Sequence, residues 1–453
     1  MLEQLFFLLV AVAAFGLFAW QVRKVRRNIL VGRDRDMSGH ASERLRKTLL
    51  VAFGQQKMFK RMIPALLHLV VYVGFIVINI EVIEILIDGI FGTHRALGFM
   101  GPLYASLTGT NEVLGALVVV AVIALLWRRN VKKVRRFQGV EMRAWPRMDA
   151  DVILYIELIL MTALFIMNAA DQKLHGDALP GAFPISSHLT GLLPESPSAL
   201  HLLERAGWWA HIVGIFLFLN YLPSSKHFHI ILAFPNVWYS RLVPQGQFSN
   251  IDSITHEVKA MMDPSYQVPE PAVGPDGSAA APTSFGAKDV EDLAWTNLLN
   301  AYSCTECGRC TSVCPANITG KLLSPRKIIM DTRDRMEEKY ESPLIFRPNN
   351  YRTDPETERV KVDEEQTLLR GKVTPEELWA CTTCNACVES CPVNINPLES
   401  IIEMRRFLVL EESAAPNSLN VMFSNIENNG APWAFSPSDR FNWADELYVA
   451  EKA

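Results

Sequence analysis

Five nearly uninterrupted apolar stretches, each flanked by polar or basic residues, dominate the first half of the chain: Leu5 to Trp20, Pro64 to Ile87, Val113 to Trp127, Val152 to Ala170 and Trp208 to Leu222. A helix that crosses the hydrocarbon layer needs about 20 apolar residues, so each stretch predicts a membrane span. The third is short by that measure and is extended back toward Leu107. Beyond Pro223 the pattern changes from blocks to helical spacing, as in Val290, Leu293, Leu298 and Leu299 within Asp289 to Tyr302, and further helices are predicted over Pro325 to Arg335 and Pro397 to Leu410. The patterning therefore predicts an all-α protein, a five-helix transmembrane bundle followed by a smaller α-helical domain. The expected boundaries are 1–235 for the bundle, 236–288 for a connecting segment and linker, 289–411 for the helical domain and 412–453 for a docking tail. Asp263 to Lys288, rich in Pro, Ala and Gly, reads as a linker that gives the helical domain reach, and Glu337 to Gly371 as a charged surface insertion.

Charge orients this arrangement. Arg23, Lys24, Arg26 and Arg27 follow the first span, and Arg128, Arg129, Lys132, Lys133, Arg135 and Arg136 follow the third. The loops Asp88 to Thr110 and Asp171 to Gly207 contain only Arg95, Lys173 and Arg205 as cations. Basic loops stay on the cytoplasmic side, so the N-terminus is expected outside the inner membrane and everything past Pro223 inside the cell. Cations after the first apolar run, rather than before it, argue against a cleaved signal. In the cationic segment Arg33 to Arg61, Leu45, Leu49, Ala52 and Phe53 form one helical face, expected either at the inner membrane surface or on a solvated loop helix. The net charge of −4 hides a cationic first third and an acidic last third. No aromatic-interleaved basic patch suggests nucleic acid.

All eight cysteines lie in two runs, Cys304-Thr-Glu-Cys307-Gly-Arg-Cys310-Thr-Ser-Val-Cys314-Pro315 and Cys381-Thr-Thr-Cys384-Asn-Ala-Cys387-Val-Glu-Ser-Cys391-Pro392. Three thiolates at this spacing wrap one corner of a 4Fe-4S cluster, while the fourth, before Pro, ligates the other cluster. The expected sets are Cys304, Cys307, Cys310 and Cys391 on one cluster, and Cys381, Cys384, Cys387 and Cys314 on the second. A repeated loop-helix unit around two clusters makes the smaller domain a cytoplasmic α-helical ferredoxin-like domain. Structural zinc would use paired C-x2-C ligands or nearby histidines, and disulfides do not suit a reducing compartment.

Ionisable groups inside spans are functional candidates because each is costly unless paired or bound. His68 lies about one turn into the second span, and His227 and His229 lie just past the fifth at matching depth. Two imidazoles on facing helices suit haem b ligation, and His68 with His229 is the expected pair. His211 lies about 27 Å from His229 at helical rise, where a second haem would need a partner such as His94, His175 or His201. Glu81, Glu84 and Glu157 are candidates for quinone protonation or proton relay, or for helix-helix contacts. No residue here is assigned bond chemistry on a small substrate.

The cluster motifs, with Ser324-Pro-Arg-Lys-Ile after the first and Leu378-Trp-Ala before the second, resemble the iron-sulfur subunit of heterodisulfide reductases and their bacterial relatives. The first 235 residues resemble the haem b membrane subunit of respiratory nitrate reductase and of membrane-bound heterodisulfide reductases. In that subunit the two histidines of the fifth span are spaced like His211 and His229, with a Pro matched by Pro223. Its second span carries two histidines ten apart, where this chain has His68 but Ile78. The resemblance implies an electron-transfer subunit, part of an oxidoreductase complex, that passes electrons between a cytoplasmic redox partner and the quinone pool through two 4Fe-4S clusters and haem b. The rival expectation is a membrane-anchored ferredoxin or assembly module without haem or quinone chemistry. The tail from Gly430-Ala-Pro-Trp433 to Trp443 is similar to the segment preceding a Cys-Cys-Gly domain in longer relatives. This implies a separate Cys-Cys-Gly subunit or a flavoprotein as partner.

Overall fold

The computed structural model describes residues 1–269, 284–340 and 366–450. Most of the predicted linker and insertion lie outside the described residues. The described residues contain helices and isolated bridges but no β-sheet. The helices are α1 (Leu2–Ile29), α2 (Ala41–Thr48), α3 (Met62–Phe91), α4 (Pro102–Leu126), α5 (Trp145–His175), α6 (Pro197–Tyr221) and α7 (His229–Trp238). After these come α8 (Asp252–Met262), α9 (Trp295–Tyr302), α10 (Arg309–Val313), α11 (Pro315–Ile318), α12 (Pro325–Lys339), α13 (Pro375–Trp379), α14 (Ala386–Ser390), α15 (Pro397–Leu410) and α16 (Asn417–Asn429).

Five of these helices, α1 and α3 to α6, are long and apolar enough to cross a membrane. Each extends beyond its apolar run. The fifth starts at Pro197 rather than Trp208, because its first turns carry His201, Glu204 and Arg205, and polar residues at a helix end interrupt the hydropathy without interrupting the helix. The bundle core joins Phe7 of α1, Ile78 and Ile85 of α3, Val118 of α4, Leu164 of α5, and Trp208, Ile212 and Phe216 of α6. Phe7 packs on Trp208 and Phe216 at ring-centroid distances of 5.5 and 6.1 Å. It also requires Gly89, where an added Cβ would sit 2.5 Å from its ring.

The chain forms two compact units, residues 1–248 with 289–401, and residues 249–288 with 402–453. In the first, the cysteine-bearing helices are built directly onto one end of the bundle. Arg33 N–H donates to Leu293 O at 2.8 Å, Trp295 N–H to Arg33 O at 3.0 Å, and Asn28 Nδ2 to the Tyr302 hydroxyl at 2.9 Å. The expectation of a cysteine domain held at the reach of a linker is therefore corrected, since backbone pairing and a buried side-chain bond fix it against the end of α1. In the cationic segment α2 is shorter than the pattern predicts. Leu45, Leu49 and Phe53 are exposed as expected for a membrane-facing stripe, while Arg44 is buried and donates to Trp238 O at 2.7 Å. In the second unit, Ala287 N–H donates to Glu403 O at 2.9 Å, and Trp433, Phe435, Phe441 and Trp443 are exposed.

Asp289 organises the entry to the cysteine-bearing helices. Its carboxylate caps the turn Val290–Asp292, accepts from Leu368 N–H at 3.0 Å, and pairs with Arg335 at 2.7 Å and Lys339 at 3.2 Å. Burial alone would raise its pKa, but the two cations hold it below the ordinary carboxylate range. A depressed folded value adds stability that is present above the unfolded value of about 4 and is lost as pH falls through the folded one. Asp289→Asn in the full chain is expected to cost about 2 kcal/mol near neutral pH, with the gap in melting temperature closing as pH drops below about 4. A gap unchanged down to acidic pH would mean that Asp289 acts only as a neutral acceptor.

Candidate iron-sulfur and histidine sites

The two cysteine runs fold alike because their sequences make the same backbone demands. Glu306 and Thr383 occupy equivalent positions with φ of 53° and 56°, and so do Gly308 and Asn385 with φ of 67° and 58°. Glycine and asparagine are the residues that enter this left-handed region at least cost. Gly308 has a second constraint, since a Cβ there would lie 2.4 Å from the Arg326 guanidinium. After each left-handed residue a short helix, α10 or α14, carries the third cysteine, and the fourth precedes a proline that restricts it to extended backbone.

All eight thiols are free. Those interacting electrostatically with Cys310 are Cys307, Cys304 and Cys391, and those interacting with Cys387 are Cys381, Cys314 and Cys384. The structure thus brings together the two crossed sets of four predicted from spacing. Burial pushes Cys304 and Cys387 up to about 12 and Cys391 to about 11, so these thiols stay protonated in water and release protons only to a metal. Backbone amides of Glu306 and Ile395 point at Cys304 Sγ and Cys391 Sγ at 3.4 and 3.3 Å. Such N–H···S contacts favour the thiolate form and the added charge of a reduced cluster. The donor set, the four-by-four grouping and the amide contacts all fit 4Fe-4S clusters.

Cations of the loops, together with Arg309 from the motif itself, lie about the first set. Arg309 interacts with Cys307 and Cys391, Lys57 with Cys391, and Arg136 with Cys307. They also tie the set to the bundle: Arg309 Nη1 donates to Lys57 O at 3.2 Å and Arg61 Nη2 to Ser312 Oγ at 2.9 Å. Beneath them, buried Glu306 pairs with Lys226 and Arg333, each at 2.6 Å. Burial works against its charge, yet the two cations keep it well below the usual carboxylate range. Glu306 has no signal in the sequence beyond its place inside the motif. In the second set Cys384 is the exposed thiol.

His68 and His229 face each other with ring centroids 6.4 Å apart. His68 Nδ1 pairs with Gln55 Oε1 and His229 Nδ1 with Lys226 O, both at 3.0 Å, which orients the rings and leaves Nε2 of each available. His227 packs edge-on against His229 at 5.5 Å and beside Phe218 at 5.3 Å. Burial pushes His227 down to about 3 and also lowers His229, so both imidazoles are neutral at ordinary pH. Lys226 joins the histidine pair to the first cysteine set, its carbonyl oxygen accepting from His229 Nδ1 at 3.0 Å and its Nζ pairing with Glu306 at 2.6 Å.

His211 departs from expectation. Its Nδ1 pairs with Leu160 O at 2.9 Å as that of His229 does with Lys226 O, but its candidate partners are engaged elsewhere. His94 and His175 converge on Asp171, while His201 lies 3.9 Å from Glu204. The reckoning of His211 to His229 along one helix also fails, because Pro223 closes α6 and the chain turns through residues 222–228 before α7. Glu81 and Glu84 are buried and paired: Glu81 accepts from Asn111 at 3.2 Å, and Glu84 from Tyr104 at 2.8 Å and Leu97 N–H at 2.9 Å. Their polar contacts hold α3, α4 and the intervening loop together. Glu157, half-buried on α5, makes no hydrogen bond or ion pair with another described residue.

Residues 303–395 match the 4Fe-4S dicluster domain family, which accords with the two thiol sets and defines the chain as a membrane-spanning protein with an iron-sulfur domain. The chain is 30% identical over 465 residues to the probable iron-sulfur-binding oxidoreductase FadF of Bacillus subtilis, covering 99% of this chain and 61% of that protein. It is 27% identical over 463 residues to the EtfAB:quinone oxidoreductase of Syntrophomonas wolfei, covering 98% of this chain and 59% of the relative. Over 173 residues it is 38% identical to a probable membrane-anchored ferredoxin of Chromohalobacter salexigens, covering 37% of this chain and 25% of that protein. Shorter matches reach the heterodisulfide reductases of Methanosarcina mazei, at 26% identity over 170 residues for the dihydromethanophenazine:CoB--CoM enzyme. The chain spans about three-fifths of the length of the first two relatives. No solved structure matches it.

Proposed function

We propose that the chain conducts electrons between a soluble redox partner and a membrane quinone, with two 4Fe-4S clusters in the iron-sulfur domain and one haem b in the bundle. The observation that carries this reading is the adjacency of the two sites: Lys226 accepts from His229 Nδ1 at its carbonyl oxygen at 3.0 Å and pairs through Nζ at 2.6 Å with Glu306 inside the first cysteine run. When bound, these groups supply one-electron carriers, and the residues set their order. Cys304, Cys307, Cys310 and Cys391 would hold the cluster nearer the histidines, and Cys381, Cys384, Cys387 and Cys314 the second. His68 and His229 would hold the haem iron through Nε2, since their rings lie 6.4 Å apart and each Nδ1 is already hydrogen-bonded. The cations Lys57, Arg136 and Arg309 offset the negative charge of a thiolate-bound cluster, and burial of Cys304 and Cys314 keeps water away.

Exposed Cys384 marks the side where a soluble partner, a flavoprotein or Cys-Cys-Gly protein, would meet the second cluster. The basic loops support a cytoplasmic setting for that side and an inner-membrane setting for the spans. The name of the Syntrophomonas relative supports quinone as the membrane reactant, and Glu157 is a carboxylate free to exchange a proton with it. Adding a reduced quinone to the oxidised full chain in nanodiscs is expected to reduce the haem, with the clusters following, while His68→Ala leaves the clusters oxidised. A haem that dithionite reduces and no quinol does would overturn the quinone assignment.

A further inference from the structure

We propose that His94, Asp171 and His175 form a binding site for a divalent transition-metal ion of the zinc and copper class, at the end of the bundle opposite the cysteines. The loop after α3 brings His94 to the last turns of α5, where His94 Nε2 and His175 Nδ1 converge on one oxygen, Asp171 Oδ1, at 3.2 and 2.9 Å. The two rings lie 5.2 Å apart, and the three ligand atoms fall within 4.8 Å of one another. Nitrogen and oxygen ligands about 2.0 to 2.2 Å from a tetrahedral ion stand roughly 3.3 Å from each other, so small adjustments would open this group around a cation.

The carboxylate is fixed for that role. Asp171 is buried, and its other oxygen, Oδ2, accepts from Arg95 Nε and Nη2, both at 3.1 Å, leaving Oδ1 as the ligand atom. Arg95 is itself held: its N–H donates to Asp88 Oδ2 at 2.9 Å and its Nη2 to Asn168 Oδ1 at 2.7 Å. The two histidines are about half exposed, so an ion has access from outside. His94 and Asp171 open on a cavity of about 140 Å³ lined also by Glu3, Glu84, Asp88 and Glu204, against the cations Arg95 and Arg205. This excess of carboxylates favours a cation, and the cavity leaves room for a water as a further ligand. Two imidazoles with one carboxylate select zinc or copper over calcium or magnesium, which prefer all-oxygen sites. A bound ion would pin the α3–α4 loop to α5, a junction that hydrogen bonds otherwise hold.

The probe is Cu²⁺ alone, titrated into chelator-treated full chain in nanodiscs and read by electron paramagnetic resonance. One saturable equivalent with superhyperfine coupling from two nitrogens is expected, and His94→Ala and His175→Ala should each weaken it by about 100-fold. These side chains are partly exposed, so both variants are expected to fold, which the unchanged cluster spectrum checks. Zn²⁺ should raise the melting temperature of the parent chain and of neither variant. Binding that does not saturate, or a two-nitrogen signal that survives in both variants, would overturn the assignment.

Discussion

Replacing His68 or His229 with alanine is expected to abolish the low-spin haem b spectrum of the purified chain completely. Each ring is oriented by a hydrogen bond that Nδ1–H donates, His68 to Gln55 Oε1 and His229 to Lys226 O, and the two rings lie 6.4 Å apart. An iron that loses one of two strong-field imidazoles becomes high-spin or is not retained. His227→Ala and His211→Ala are expected to keep the spectrum, since His227 stands edge-on to His229 and the candidate partners of His211 are held by Asp171 and Glu204. Absorption and paramagnetic resonance of the four variants check this. A spectrum that survives His68→Ala and disappears with His227→Ala would place the haem on a different pair.

Cys314→Ser is expected to destroy the cluster held by Cys381, Cys384 and Cys387, although Cys314 belongs to the other run. The fourth cysteine of each run follows a short helix and precedes a proline, a geometry that turns it from its own three neighbours. Cys314 is among the thiols that interact with Cys387, and Cys391 among those that interact with Cys310. Serine is a poor ligand for iron in a thiolate cluster, so one of two paramagnetic signals in the reduced protein should be lost or converted to a three-iron form. The signal of the set Cys304, Cys307, Cys310 and Cys391 should persist. Loss of that set instead would show that each run holds its own cluster.

Different parts of this protein were legible in the sequence to different degrees, for physical reasons. The five spans were legible because lipid demands long apolar blocks, yet the start of α6 at Pro197 was not, since its outer turns carry ordinary polar residues. The crossed grouping of cysteines could be read from C-x2-C-x2-C-x3-C-P because loop length dictates which thiols converge. The facing of His68 and His229 followed from depth, whereas Gln55 and Lys226, which orient the rings, gave no periodic or motif signal. Glu306 was hidden in the same way: a buried carboxylate between Lys226 and Arg333 is a long-range contact, and single-chain patterning reports only local ones. The error over His211 came from extending one helix through Pro223, and the convergence of His94 on Asp171 and His175 depends on a loop conformation that spacing does not encode.

The most direct test of the central claim, that this chain joins a haem-bearing bundle to a two-cluster domain, is a count of iron, acid-labile sulfide and protohaem in the purified full chain. It should be made beside a reduced-minus-oxidised spectrum of the same sample. Two 4Fe-4S clusters and one low-spin haem b per chain are expected, with the haem reducible by quinol. A chain that holds both clusters and no haem would contradict it and would leave a membrane-anchored ferredoxin in its place.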